Sequence, residues 1–227
     1  MNAAGGPLRP LPLGIYLVTD PPMSGGVKET LAAIVASVDA GVTTVQIRWK
    51  NAPGGIFLDL ALRTHELVGT KAAIIINDRI DVFLAARAQG TELSGVHIGQ
   101  DDLPPVQVRD LIGPDALLGY SAGTPAELAR ANSLPPGIID HIGVGVLRST
   151  LTKQDAPPAL GVEGINAIAK AQALPVVAIG GIKTSDIPGL ASGGVHAAAI
   201  VSGILAATDP GPAAKEYVDL WRKNYVN

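Results

Sequence analysis

Polar side chains suited to anion binding alternate with apolar ones in the segment Thr43–Lys50. On an extended strand this alternation places Gln46, Arg48 and Lys50 on one face and the intervening apolar residues on the other. If helices cover both faces of the sheet, such a polar row needs a cavity and an anionic partner. Arginine offers a planar fork and lysine a point charge to a phosphate group. The segment therefore predicts phosphate binding, and the plainer alternative is three solvated side chains.

Acidic residues follow two other apolar segments at the point where the apolar residues stop. Asn77 and Asp78 come directly after one segment, and Asp101 and Asp102 follow the next. Neighbouring strands lie about 5 Å apart, so Asp78 and one of Asp101 or Asp102 can face each other. A pair of carboxylates favours Mg²⁺, which takes few protein oxygens and completes its shell with water and substrate phosphate. The alternative is that these residues only cap the helices that follow.

Two glycine-containing turns follow the last two predicted strands, at Gly180-Gly181 and at Ser202-Gly203. Backbone without side chains can direct its amide N–H groups at an anion, and α/β barrels commonly bind phosphate at this position. We therefore predict a phosphate cup formed by these two turns, with ordinary turns as the alternative.

Other polar residues in the chain carry weaker signals. Ser121 has no histidine or aspartate partner at a readable spacing, so we expect it to donate to a substrate or to be a plain loop serine, not a nucleophile. The segment Arg148–Asp155 is rich in hydroxyl groups and cations, and is either a cover over a site or an ordinary hydrophilic loop. His97, within an apolar strand, is interpreted as a core histidine, and Asp20 as a turn or cap residue.

Short β-rich segments alternate with helical segments along the whole chain, which organises these residues. The predicted strands are Gly14–Thr19, Thr43–Arg48, Ala72–Asn77, Gly95–Ile98, Ala116–Tyr120, Ile138–Val144, Val176–Ile179 and Val195–Val201. The predicted helices are Lys28–Ala40, Gly54–Gly69, Arg79–Gln89, Pro105–Ile112, Pro125–Asn132, Gly161–Gln172, Ser185–Ala191 and Pro212–Tyr225. Eight strand–helix units predict the α/β class and a single (β/α)₈ TIM barrel. A doubly wound open sheet is the alternative, disfavoured because no dinucleotide fingerprint follows the first strand.

The bulk composition excludes several classes of function. A net charge of −3 and a pI near 5.8 argue against a nucleic-acid or anionic-membrane partner. The chain has no cysteine, which excludes disulfides, zinc–thiolate sites and thiol catalysis. No apolar segment is long enough to span a bilayer. Residues 1–12 are expected to form a flexible leader without a secretion signal, ahead of a catalytic barrel over residues 13–227 in a cytoplasmic protein.

A barrel collects the ends of its strands at one mouth, so the predicted sites should share that mouth. Cations and carboxylates would then line one side, and the phosphate cup the other. This arrangement predicts an enzyme that joins two small phosphorylated substrates, with Mg²⁺ drawing away a pyrophosphate leaving group. A homodimer is a reasonable expectation for a small barrel.

An ordered set of motifs over nearly the whole chain resembles the thiamine phosphate synthase family. The motifs are Tyr16-Leu17-Val18-Thr19-Asp20, Gln46-Ile47-Arg48-Trp49-Lys50, Ile76-Asn77-Asp78-Arg79, Gly95-Val96-His97-Ile98-Gly99-Gln100-Asp101-Asp102, Thr150-Leu151-Thr152-Lys153 and Val177-Ala178-Ile179-Gly180-Gly181-Ile182. The resemblance implies condensation of hydroxymethylpyrimidine diphosphate with a thiazole phosphate, giving thiamine phosphate and pyrophosphate. It also implies a dissociative reaction through a pyrimidine-methyl cation.

The resemblance further implies a role for individual residues. The pyrimidine diphosphate would be held by Gln46, Arg48, Lys50, Asn77, Ser121 and Lys153, of which Arg48, Lys50, Ser121 and Lys153 would be catalytic. Asp78 and Asp102 would hold Mg²⁺. The thiazole phosphate would be held by Thr150, Thr152, Gly181, Val201 and Ser202.

The chain departs from the family pattern around the thiazole side. A proline is usual where Val146 stands, an aromatic–proline pair where Arg148-Ser149 stands, and a histidine where Gly123 stands. Two rival functions are a thiazole tautomerase and a non-catalytic barrel that binds a phosphate ligand. The tautomerase would need neither the Arg48 and Lys50 row nor the Asp78–Asp102 pair, and the binding barrel would bind its ligand without releasing pyrophosphate.

Overall fold

Eight parallel strands form a closed barrel in the described part of the chain. The computed structural model of the protein describes residues 10–148 and 159–225. The strands pair in chain order, and the last pairs with the first. They are β1 (Gly14–Val18), β2 (Thr44–Ile47), β3 (Ala73–Asn77), β4 (Gly95–Ile98), β5 (Leu117–Ser121), β6 (His141–Val144), β7 (Val176–Ile179) and β8 (Ala197–Ile200). The predicted (β/α)₈ barrel is confirmed, and the open-sheet alternative is wrong.

Helices connect successive strands around the outside of the barrel. Within the described ranges they are α1 (Pro21–Ser24), α2 (Val27–Asp39), α3 (Gly54–Val68), α4 (Ile80–Ala88), α5 (Pro105–Ile112), α6 (Pro125–Asn132), α7 (Gly161–Ala171), α8 (Ile187–Ala191), α9 (Ser202–Leu205) and α10 (Pro210–Asn224). Local caps begin several of them, as the sequence indicates. Thr124 and Glu127 form a capping box at α6, and the Asp20 side chain accepts from the Met23 amide at α1.

Apolar side chains fill two layers because each strand is buried on both faces. The larger cluster lies between the strands and the helices and includes Phe57, Leu60 and Phe83. A smaller cluster fills the inside of the barrel and consists of Leu11, Tyr16, Val18, Ile75, Leu117, Val177, Ala197 and Ala199. Leu11 belongs to the segment predicted as leader, yet it is buried and its carbonyl accepts from His196 Nε2 at 2.7 Å.

One predicted strand starts later than its apolar pattern suggests. The segment Ile138–Val144 contributes only β6, which begins at His141. Arg109 Nε donates to the carbonyl of Ile138 at 3.0 Å, and its Nη2 donates to Asp140 Oδ2 at 2.6 Å. This buried arginine therefore binds residues that would otherwise extend the strand.

Candidate active site

The carboxyl ends of all eight strands meet at one rim, because every strand pair is parallel. In the closed order of strands, β3 and β7 lie on opposite sides of this rim. The predicted cationic and acidic residues follow β2, β3 and β4, whereas the predicted phosphate cup follows β7 and β8. The rim therefore carries both predicted sites on facing sides of one opening.

Asp78 and Asp102 form the acidic part of the rim. The side chains of Asp102 and Asn77 lie close enough to the Asp78 carboxyl group to shift its pKa. Burial, and then the neighbouring charge of Asp102, raise the pKa of Asp78 to about 6, while Arg48 and Asn77 act in the opposite direction. The Gly99 amide donates to Asp102 Oδ2 at 2.6 Å and so fixes the second carboxylate.

Neither carboxylate caps the following helix, which was the alternative interpretation. Arg79 and Pro104 stand at the start of α4 and α5, and neither helix has a side-chain cap. Asp78 instead adopts a left-handed backbone with φ of 62°, which is uncommon for a residue with a Cβ. Its amide donates to the His97 carbonyl at 2.8 Å, which ties this conformation to β4. Strained backbone of this kind concentrates at functional sites.

The pKa of Asp78 predicts how pH affects stability without metal. Because the folded pKa is raised, the protonated carboxyl stabilises the fold below the unfolded pKa of about 3.9, and this stabilisation is lost as pH rises through about 6. In EDTA at about pH 7.5, Asp78→Asn should therefore be more stable than wild type by about 1 kcal/mol, allowing for partial solvent screening. Urea unfolding at about pH 7.5 and about pH 4.5 measures this, and the difference should shrink at the lower pH. An equal difference at both values would contradict it.

Gln46, Arg48 and Lys50 do not share one strand face in the structure. Strand β2 ends at Ile47, where Thr19 Oγ1 bonds to both the amide and the carbonyl of Arg48 and ends the ladder. The predicted alternation therefore governs Gln46 but not Arg48 and Lys50, and placing all three on one strand face was wrong. Gln46 is buried inside the barrel, and its Nε2 donates to Tyr16 Oη at 2.9 Å.

Arg48 and Lys50 nevertheless remain at the rim. Arg48 Nη1 lies 3.6 Å from Asp20 Oδ2. The positive charge of Arg48 also acts to lower the pKa of Asp78. Lys50 is exposed and, with Asn77 and Asp78, lines a cleft of about 410 Å³. The cations and the acidic pair thus share one side of the mouth.

Ser121 has a histidine partner, contrary to the sequence interpretation. Its Oγ lies 2.9 Å from His97 Nε2, and the two residues are brought together by the pairing of β4 with β5. The His97 ring lies 5.6 Å from that of His141, inside the barrel. Burial lowers the pKa of His97 to about 4, partly offset by Asp102, so the imidazole is neutral near pH 7. Sequence spacing gave no signal for this contact.

Glycines on β5 and β6 make room for these two imidazoles. A Cβ at Gly119 would lie 2.3 Å from both His97 Nδ1 and His141 Nε2, and one at Gly143 would lie 3.0 Å from His97 Cε1. Small residues on this side of the barrel are therefore required by the buried histidines and not by backbone conformation.

This crowding predicts that Gly119→Ala destabilises the protein. The added methyl group must displace two buried rings, and such overpacking costs about 1–3 kcal/mol. Thermal or urea unfolding measures the effect. Gly55→Ala is the matched control, because a Cβ at Gly55 in α3 meets nothing within 4 Å. Equal stability of the two variants would show that the histidine pair accommodates the methyl group.

Gln100 joins the loop after β4 to β5. Its Nε2 donates to the Ser121 carbonyl at 2.6 Å, and its Oε1 accepts from Tyr120 Oη at 2.9 Å and Arg130 Nη1 at 2.8 Å. The loop that carries Asp102 is therefore fixed to the neighbouring strand. Gln100 lies within one of the motifs, but nothing in its sequence position indicates these contacts.

The predicted phosphate cup lies at the ends of β7 and β8. Gly180 and Gly181 have φ values of 100° and 69° and directly follow β7. Val201 and Ser202 follow β8, where Ser202 begins the short helix α9 and is exposed. The first amides of a helix have no intrahelical acceptor and are available to an anion. Thr150, Thr152 and Lys153 lie outside the described residues.

Comparison with known proteins identifies the family. A protein-family model described as thiamine monophosphate synthase matches residues 15–204 of the chain. The chain belongs to this family. The thiamine-phosphate synthase of Vibrio campbellii is 41% identical over 206 residues, covering 90% of this chain and 95% of the relative. That of a Psychrobacter species is 37% identical over 203 residues, covering 89% and 92%. The family predicted from the ordered motifs is confirmed.

One solved structure agrees with the thiamine monophosphate synthase family, and a second shares only the fold. Thiamine phosphate pyrophosphorylase from Pyrococcus furiosus has a TM-score of 0.80 and 27% identity, covering 93% of this chain and 96% of that one. A 3-hexulose-6-phosphate synthase has a TM-score of 0.64 at 16% identity, which shows a shared fold alone. Among the helices of the described ranges, none has the length and apolar character needed to cross a membrane.

Proposed function

We propose that this chain is a thiamine-phosphate synthase, a transferase that joins hydroxymethylpyrimidine diphosphate to a thiazole phosphate and releases pyrophosphate. One observation carries the proposal: Arg48 and the Asp78–Asp102 pair converge on the side of the rim that faces the Gly181 turn. The named relatives support the same activity. A thiazole tautomerase would not need the cations together with the acidic pair, and is therefore not favoured.

The pyrimidine diphosphate is placed on the β2–β5 side of the mouth. Arg48 and Lys50 lie where positive charge can stabilise the departing diphosphate. Gln46 and Asn77 offer amide groups, and Ser121 a hydroxyl oriented by His97, to the pyrimidine part. Lys153 is assigned to the same substrate from its motif.

The acidic pair has the chemistry expected of a magnesium site. Asp78 and Asp102 supply hard oxygen donors, and the charge of Asp102 raises the pKa of Asp78, as expected for two carboxylates that lie close together. The described residues contain no group of three or more His, Asp or Glu side chains suited to a metal, so substrate and water would complete the shell. Mg²⁺ held by Asp78 and Asp102 would neutralise charge on the leaving diphosphate.

The thiazole phosphate is placed at the phosphate cup, with Gly181, Val201 and Ser202 as its described residues. Thr150 and Thr152 are assigned to this substrate from their motif. Binding both substrates at one rim brings the thiazole nitrogen to the pyrimidine methylene carbon. The carbon–oxygen bond to diphosphate breaks with both electrons leaving on oxygen, and the nitrogen lone pair forms the new carbon–nitrogen bond. The protein thus contributes positioning and charge stabilisation, and no covalent bond forms between the protein and a substrate.

The Ser121–His97 contact suggests hydrolysis as a second candidate, since a serine beside an imidazole can be a nucleophile. The low pKa of His97, caused mainly by burial, makes it a poor base near neutral pH. Its Nδ1 has no hydrogen-bond partner among the described residues, whereas a catalytic triad requires an orienting group there. The contact is therefore assigned to orienting the Ser121 hydroxyl.

The proposal is tested by incubating the protein with both substrates, with and without Mg²⁺. We expect equal amounts of pyrophosphate and thiamine phosphate, with turnover lost in EDTA. Isomerised thiazole phosphate without pyrophosphate would support the tautomerase. Saturable binding without any product would support a binding protein. A cytoplasmic location and a homodimer stay predictions.

A further inference from the structure

An ion pair at the edge of the phosphate cup involves residues that the family motifs do not assign to a substrate. Arg148 follows β6, and Asp186 ends the 3₁₀ turn between β7 and α8. Arg148 Nη1 lies 2.5 Å from Asp186 Oδ2, and Nη2 lies 2.8 Å from Oδ1, which is a two-point fork. Asp186 is buried, and 39% of the Arg148 side chain is exposed. This geometry is the strong form of an arginine–carboxylate contact.

Arg148 also binds the carbonyls of both cup glycines. Its side-chain Nη1 donates to the Gly181 carbonyl at 2.7 Å, and its backbone amide donates to the Gly180 carbonyl at 3.1 Å. In a trans peptide group the N–H points opposite to the C=O. Two consecutive carbonyls that face Arg148 therefore direct the amides of Gly181 and Ile182 away from it.

Those two amides are available to a ligand. Among the described residues, neither the Gly181 nor the Ile182 amide has a protein acceptor. The next amide, that of Lys183, is already bound to Asp186 Oδ2 at 2.7 Å. The ion pair therefore holds the turn at both ends and leaves two adjacent N–H groups in the middle, an arrangement suited to an anion.

We infer that the Arg148–Asp186 pair holds the Gly180–Ile182 turn in the orientation that binds the phosphate of the thiazole substrate. This inference rests on the proposed function and makes Arg148 a positioning residue that acts through the backbone. Asp186 balances the guanidinium charge, so the pair adds orientation to the cup without adding net charge.

A direct contact between Arg148 and phosphate is the competing explanation, and Asp186→Asn separates the two. If Arg148 only positioned the turn, loss of the carboxylate would loosen the fork and weaken thiazole phosphate binding. If Arg148 bound phosphate itself, release of its charge from Asp186 would maintain or strengthen binding. Both the hydrogen bond to Gly181 and the fork need planar nitrogen donors, so Arg148→Lys should rescue only part of the effect.

The test measures KM for each substrate and kcat, together with calorimetric binding of thiazole phosphate alone. We expect Arg148→Met and Asp186→Asn each to raise the KM and Kd for thiazole phosphate about tenfold. The double variant should bind thiazole phosphate no more weakly than the weaker-binding of the two single variants, because both residues act on the same turn. The KM for the pyrimidine diphosphate and kcat at saturation should stay within about twofold. The KM and Kd of Arg148→Lys for thiazole phosphate should lie between those of wild type and Arg148→Met. This variant also tests the inference if the methionine variant does not fold.

Arg87→Met is the matched control. Arg87 also binds backbone carbonyls, those of Leu111 and Ile112, but at the carboxyl ends of α4 and α5 on the far face of the barrel. This variant should change stability without changing either KM. Equal rises in both KM values, or unchanged thiazole phosphate binding in Asp186→Asn, would overturn the inference. Binding without turnover in wild type would instead overturn the proposed function, and the calorimetric arm would still decide the role of Arg148.

Discussion

Replacement of Asp78 by asparagine should lower kcat at least about a hundredfold, because one of two carboxylates proposed to hold Mg²⁺ is lost together with charge stabilisation of a few kcal/mol. Asparagine is chosen because it tolerates the left-handed backbone at this position, where φ is 62°, better than alanine does. The fold should therefore persist. Steady-state rates of pyrophosphate release over a range of Mg²⁺ concentrations measure the effect.

Asp101→Asn is the control for this prediction, since Asp101 is exposed and adjacent in sequence to the proposed ligand Asp102. It should retain turnover within about twofold of wild type, whereas Asp102→Asn should resemble Asp78→Asn. Near-normal turnover in Asp78→Asn, or a large loss in Asp101→Asn, would remove the metal assignment. The stabilisation expected of Asp78→Asn in EDTA separates lost chemistry from lost folding.

Ser202→Glu should raise the KM for thiazole phosphate by about thirtyfold or more. The substitution places a carboxylate at the start of α9, where the proposed cup binds a phosphate, and like charges at short range repel. The KM for the pyrimidine diphosphate should change little, because that substrate is placed on the opposite side of the rim. Initial rates with each substrate varied in turn measure the two constants.

Ser192→Glu is the matched control for added charge. Ser192 is exposed at the end of α8, away from the mouth, and its Oγ bonds to the Pro188 carbonyl. Both variants gain one negative charge, so a nonspecific electrostatic effect would appear in both. An unchanged KM for thiazole phosphate in Ser202→Glu would place the phosphate elsewhere.

The sequence by itself determined the barrel of eight strand–helix units. It also determined that the candidate functional residues follow the carboxyl ends of the strands. Apolar periodicity is a local property, and strand–helix alternation without a break leaves few topologies available. The positions where apolar runs end, such as Asp78 and Gly180, therefore locate the rim before any coordinates are known. The family was also predictable, because its motifs occur in order.

Only the tertiary structure decided which of these residues contact each other. Ser121 meets His97 across 24 positions of sequence, and Arg148 meets Asp186 across 38. Such contacts depend on strand register and barrel closure, which local periodicity does not encode. Likewise, Thr19 ends β2 before Arg48, so alternation could not place Arg48 and Lys50. The local sequence pattern thus identified which residues lie at the rim. Which of them contact each other was decided by closure of the barrel, because that brings together strands that are distant in sequence.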